Sequence, residues 1–314
     1  MTACQAESSP SVADAIVDAL RDWGIRYVFG VSGANIEHLH DAIHRRGAGE
    51  LTSVLAKRED GAGFMADCRA RVHRTLGVCC STSGGGMMNL AVGLAESLAD
   101  GTPVLALVGQ SPAALDGLGA FQEATGRAGT VDAFGLLRSV TKHTGRITAP
   151  ADLWPILRTA VATALSGRPG PAALLIPRDV FELDAGPRPA DWPVTLTEMA
   201  CPPVAGQAEL RGLFAALRQA GRPVLLLGPE VRASRDFDSV SEFARKAGIP
   251  VVTTMSARGA FPEDDDLYFG VVGACGHPSA HELVQREAEP LVAVGSALGV
   301  LDRQPLAGLP PERV

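Results

Sequence analysis

Short apolar runs alternate with amphipathic stretches along nearly the whole chain. Runs at 27–30, 53–55, 76–80, 103–108, 139–142 and 172–176 predict strands. Apolar residues at helical spacing predict helices over 12–23, 36–43, 60–72, 87–98 and 151–165. In the first of these, Ala13, Ile16, Val17 and Leu20 recur behind the start signals Ser9, Pro10 and Ser11. Strands that are apolar at every position belong in parallel sheets covered by helices on both faces. The pattern therefore predicts an α/β fold of doubly wound parallel sheets.

The composition then shifts. Residues 184–207 read DAGPRPADWPVTLTEMACPPVAGQ, rich in proline and without periodicity, and predict an interdomain linker. Beyond it the alternation resumes, with strands at 222–228, 249–254, 268–270 and 290–295 and helices at 237–247 and 277–287. The expected organisation is a flexible start over 1–10, a first domain over 11–183, the linker, and a Rossmann-like second domain over 208–314. Residues 290–295 (PLVAVG) are apolar enough for a central strand covered on both sides. With so few strands, that strand or its neighbour leaves an open apolar edge for a partner chain to continue, or for residues 306–314, with Pro305, Pro310 and Pro311, to cover.

Charge and cysteine content narrow the function classes. Lys+Arg 28 against Asp+Glu 35 gives a net charge of −7, which argues against a reader of phosphate backbones. No stretch approaches the roughly 20 apolar residues of a membrane span, and the start lacks a secretory pattern. Cys4, Cys68, Cys79, Cys80, Cys201 and Cys275 are too scattered for a disulfide scaffold, so a reduced, cytoplasmic location is expected.

Few segments could carry chemistry on their own pattern. Ser83-Gly84-Gly85-Gly86 sits between a strand and a helix, where glycines admit a ligand close to backbone; a plain tight turn reads equally well. Glu59 opens a helix after a strand, either as a dipole partner or as a group at the ligand-binding end of a sheet. His38, His40 and His44 lack partners that would complete a metal set and read as a solvated helix face. Ser81 and Ser83 lack the setting of a hydrolase nucleophile, and Glu263-Asp264-Asp265-Asp266 lacks the ligand spacing of a calcium loop.

Taken in order, these segments resemble the thiamine diphosphate enzymes of the acetohydroxyacid synthase (acetolactate synthase) large-subunit type. Phe29-Gly30-Val31-Ser32-Gly33 is similar to F-G-x-P-G-G, and the stretch from Glu59 to Arg71 to E-x-G-A-x-x-M-A-x-x-x-A-R. Thr82-Ser83-Gly84-Gly85-Gly86-Met87-Met88-Asn89 resembles T-S-G-P-G-A-T-N, and Gly109-Gln110 and Ala120-Phe121-Gln122-Glu123 resemble G-Q and A-F-Q-E. Residues 166–180 and 250–270 resemble the close of the pyrimidine-binding domain and part of the middle domain. The resemblance implies that Glu59 hydrogen-bonds the cofactor's aminopyrimidine and promotes removal of the thiazolium C2 proton. It places Val31, Ser32, Gly33, Gly85 and Asn89 with Glu59 around the cofactor. It places Gln122 as a second catalytic residue and Phe121, Gln122 and Lys142 on the substrate side.

The departures bear on the same reading. Ser32 stands for the usual proline, Arg58 for histidine, and Met87-Met88 for Ala-Thr, which alters the acceptor pocket. The synthases hold FAD with G-G-G, G-K-G and G-A-R-F-D-D-R. Gly228-Pro229-Glu230, Ala257-Arg258-Gly259 and Gly295-Ser296-Ala297-Leu298-Gly299 stand in those places, so FAD binding stays open. No Gly-Asp-Gly of the Mg²⁺-diphosphate site occurs, and no metal ligand is assigned to these residues. The expectation is one half of a split decarboxylase or carboligase: Mg²⁺ and the diphosphate are shared with a partner chain in an α2β2 complex, which uses a 2-oxo acid donor and a carbonyl acceptor. A catalytically silent regulatory or scaffolding paralogue is the alternative.

Overall fold

The computed structural model describes residues 9–200, 205–234, 237–303 and 306–307. Cys4, Cys201, Pro305 and the segment 308–314 expected to cover a sheet edge lie outside them. The chain divides into two units, Met1–Pro203 and Val204–Val314, with the boundary inside the proline-rich segment.

The first unit holds strands β1 (Tyr27–Gly30), β2 (Thr52–Leu55), β3 (Gly77–Ser81), β4 (Val104–Gln110), β5 (His143–Arg146) and β6 (Ala172–Pro177). They form one parallel sheet in the order β2-β1-β3-β4-β6-β5. Its helices are α1 (Val12–Asp22), α2 (Glu37–Arg46), α3 (Glu59–His73), α4 (Gly85–Asp100), α5 (Ala133–Val140), α6 (Leu153–Leu165), α7 (Arg178–Phe181) and α8 (Leu196–Met199).

Alternate residues of each central strand enter different cores, as the two-residue period of a strand requires. Leu105, Leu107, Val78, Cys80, Leu174 and Ile176 pack with α1, α2 and α6. Val104, Ala106, Val108, Cys79, Ala173 and Leu175 pack with Met87, Leu90 and Leu94 of α4 and Leu137 of α5. Fully burying one such aliphatic side chain stabilises the fold by about 1.5–3 kcal/mol, so the sheet is covered on both sides as expected.

The strand expected at 139–142 is displaced. Asp132 caps α5, its carboxylate accepting from the Gly135 amide at 3.0 Å, and the helix carries Leu137 into the core before ending at Val140. The strand follows as the edge strand β5, whose sequence HTGR gives no apolar run. The proline-rich segment is packed in its first part. Trp192 is buried, stacks on Trp23 at 5.8 Å and meets Trp154 edge-on at 4.7 Å, and Met199 of α8 is buried as well.

The second unit holds α9 (Gln207–Gln219), α10 (Phe237–Ala247) and α11 (Pro278–Glu282), with strands β7 (Val224–Leu227), β8 (Val251–Thr253), β9 (Tyr268–Val271) and β10 (Leu291–Val294). These strands are parallel, in the order β10-β7-β8-β9. The open apolar edge expected at 290–295 or its neighbour falls at β10. Among the described residues β10 pairs with β7 alone, and its Ala293 and Val294 are exposed.

Candidate active site

In an open parallel sheet a ligand crevice opens at the strands' carboxyl ends, where successive connections depart to opposite sides. In the first unit that point lies between β1 and β3, which are neighbours although β2 follows β1 in the chain. Val31, Ser32 and Gly33 leave the end of β1, and Thr82 to Gly85 leave the end of β3. Two of the segments picked out by pattern therefore meet there.

Hydrogen bonds tie them together. The Asn35 amide donates to Thr82 Oγ1 at 3.3 Å, and Asn35 Nδ2 donates to Ser83 Oγ at 2.7 Å. Asn35, Thr82 and Ser83 are all buried, where unpaired polar atoms are costly. Gly33 is required by contact, because a Cβ there would stand 2.7 Å from Thr82 Cβ. Thr82 Oγ1 also donates to Gln122 Oε1 at 3.3 Å, which brings the β4–α5 loop to the same place.

Glu59 arrives from the other side, at the first position of α3. Helices α3 and α4 cross at two glycines, and a Cβ on Gly93 would stand 2.8 Å from Gly63 Cα. That approach lets Asn89 Nδ2 of α4 donate to Glu59 Oε2 at 3.0 Å. Glu59 Oε1 turns toward Gly86, where a Cβ would lie 3.2 Å away. Gly84, at φ +61°, makes the turn into α4, and a Cβ on Gly85 would meet nothing within 4 Å. The result is a half-buried carboxylate beside open backbone and a helix N-terminus.

Glu59, Asn89, Gly33 and Gln122 are thus linked through Thr82 and Gly86, with Gly85 open in the turn, Val31 half-buried and Ser32 exposed. Phe121 stands out into solvent at 74% exposure. Lys142 is elsewhere: it precedes β5, at the amino end of the sheet, opposite the crevice. Its ammonium donates to the carbonyls of Thr163 and Ser166 at 2.6 and 2.7 Å, satisfying the end of α6, and partial burial lowers its pKa. Within this unit Lys142 thus stands apart from the crevice that holds Glu59. Thr82 opens the T-S-G motif, where the resemblance gives it no role, and Asn35 stands outside the motifs; its only signal is a polar residue in the turn after a strand. His40, from the histidine group on α2, engages Ser53 Oγ at 2.8 Å and Cys80 Sγ at 3.8 Å.

Residues 10–129 match the family described as thiamine pyrophosphate enzyme, N-terminal TPP binding domain, and residues 210–312 its central domain. The chain is 35% identical over 285 residues to the probable acetolactate synthase large subunit of Methanocaldococcus jannaschii, covering 90% of this chain and 46% of that protein. It is 35% identical over 288 residues to the acetolactate synthase large subunit of Corynebacterium glutamicum, covering 90% and 44%. It is 33% identical over 288 residues to the acetolactate synthase isozyme 1 large subunit of Escherichia coli, covering 90% and 48%. The chain thus spans about half the length of the curated relatives it matches.

Proposed function

This chain belongs to the thiamine pyrophosphate enzymes, and we propose that it supplies the pyrimidine-holding half of an acetolactate synthase-like active site, acting in decarboxylation or carboligation of 2-oxo acids. The observation that carries the proposal is the placement of Glu59, with one carboxylate oxygen on Asn89 and the other facing the Gly84–Gly86 turn. The residues fit the cofactor's ring: the backbone at Gly85 is open, Gly33 keeps its turn close to Thr82, and an acceptor stands beside both. When bound, thiamine diphosphate supplies a carbon acid that adds to the substrate carbonyl and takes up the electrons of decarboxylation. Glu59 holds and moves the proton at the aminopyrimidine nitrogen, Asn89 orients that carboxylate, and Gln122 faces the reacting side.

The Mg²⁺-diphosphate half is proposed to come from a second polypeptide in an α2β2 assembly. On the helices and loop that carry the site, Phe64 and Met65 of α3, Met88 and Val92 of α4, and Phe121 are all exposed. Large apolar side chains left in water on these elements favour a protein partner there. No described helix is long and apolar enough to cross a membrane, and the proposed setting is the cytoplasm, where the buried thiols of Cys79 and Cys80 stay reduced. No observation in the second unit points to FAD.

The test is release of CO₂ from 2-oxo acids by the chain mixed with a partner carrying the diphosphate site, thiamine diphosphate and Mg²⁺. Turnover that Glu59→Gln abolishes supports the proposal. Turnover that survives the substitution contradicts the role of the glutamate, and its absence across a panel of 2-oxo acids contradicts the enzyme reading in favour of a silent paralogue.

A further inference from the structure

The loop between β4 and α5 is organised around one carboxylate. Glu123 is buried, and its Oε1 accepts from the Gly117 amide at 2.6 Å and the Thr125 hydroxyl at 2.5 Å. Its Oε2 accepts from the amides of Gly119 at 2.8 Å and Ala120 at 3.1 Å. Four donors converge on a group that offers only acceptors when ionised. A protonated acid or an amide would turn a donor toward donors. The Thr125 hydroxyl and then the Gly117 amide hold the Glu123 carboxyl below the usual carboxylate range.

What this carboxylate fixes is the backbone that carries Phe121 and Gln122. Gly117 and Gly119 take φ +84° and +75°, which glycine tolerates, but Gln122 takes φ +55°. A non-glycine residue is strained there and adopts such a φ only where its surroundings over-determine it. The Glu123 amide adds a bond to the Ala120 carbonyl at 3.0 Å, so the turn around Phe121 and Gln122 is closed from both sides. Beyond Glu123 the chain is anchored: Ala124 is buried in the core and its carbonyl accepts from the Ala133 amide at 3.0 Å. At the tip, Gln122 accepts from Thr82 and packs over Gly84.

We propose that Glu123 is a positioning residue whose carboxylate latches residues 117–122 in the conformation that presents Phe121 and Gln122 to the substrate side of the site. The inference rests on the functional reading above for what the loop faces, while the latch itself stands on the four hydrogen bonds.

The test is hydrogen exchange of the full-length chain, followed over residues 111–132, for wild type, Glu123→Gln and Thr125→Val. Glu123→Gln is expected to speed exchange at Gly117, Gly119 and Ala120 by about 10-fold or more, the scale of a lost bond to a charged group, with β4 and β6 unchanged. Unchanged exchange in the loop overturns the latch. Should Glu123→Gln fail to fold, Thr125→Val removes one donor and is expected to give about a three- to tenfold increase; no increase overturns the proposal. In the reconstituted complex Glu123→Gln is expected to lower kcat/KM for the 2-oxo acid, mainly through KM, with cofactor affinity kept. A loosened loop with unaltered kinetics overturns the positioning role. A wild-type complex without turnover counts against the functional reading, and the exchange rates still decide the latch.

Discussion

Glu59 owes its position as much to glycines across from it as to its own helix. Gly93 lets α4 approach α3 at Gly63, and Gly86 leaves room for the carboxylate. Gly93→Ala drives a methyl group to 2.8 Å from Gly63 Cα, and neither backbone can yield without separating the helices. The expected cost is about 1–3 kcal/mol in urea unfolding, with loss of the Glu59–Asn89 bond and of Glu59-dependent activity. His40 makes a second prediction. Burial lowers its pKa from the ordinary 6.5, so folding favours the neutral ring. Its contribution is complete above about pH 6.5 and is lost as pH falls from there through the depressed folded value. His40→Gln is expected to flatten the pH dependence of stability across that window, measured by urea midpoints between pH 7.5 and 5. At this scale motifs with fixed neighbours mark Glu59, Gly85, Asn89 and Gln122 as candidates, and the fold places Glu59 beside Asn89 and Gln122 beside Thr82. Asn35 was not legible, since a buried polar residue in the turn after a strand is marked only by the partner it meets. Nearness to a motif along the chain also does not say which end of the sheet a residue occupies, and Lys142 stands at the amino end.

Elements of the first sheet were readable wherever both faces are covered. β1, β3, β4 and β6 show as apolar runs because helices pack on each side of them, whereas the half-polar edge strand β5 does not. β10 is apolar in sequence, as a strand covered on both sides would be, and among the described residues it lies at the edge of its sheet, where an open apolar edge was expected. The crossing of α3 and α4, which sets the width of the site, is locked at its far end by charge. Asp67 is buried and accepts from Ser97 Oγ of α4 at 2.8 Å, while Arg71 of α3 bridges Asp67 to Asp100 of α4. Asp67→Ala leaves the Ser97 hydroxyl with only the Gly93 carbonyl and Arg71 with only Asp100, and is expected to cost about 1–3 kcal/mol. Thermal unfolding checks the magnitude, and Arg71→Ala in the same background should add little, because the two side chains share one network.

On the scale of the molecule, the two units correspond to the N-terminal and central domains of the thiamine pyrophosphate enzymes. The first unit carries the Glu59 carboxylate, hydrogen-bonded by Asn89, beside the switch point of its sheet. The division of labour proposed here puts activation of the cofactor on Glu59 and anchoring of its diphosphate on a second polypeptide. The most direct measurement is exchange of the thiazolium C2 proton of bound thiamine diphosphate for deuterium in the reconstituted complex, followed by acid quench and proton NMR. The account expects rapid exchange in the wild type and exchange slowed about 100-fold or more in Glu59→Gln at full cofactor occupancy, the range of a lost general acid–base group. Equal exchange rates in the two proteins, with the cofactor bound in both, would contradict it.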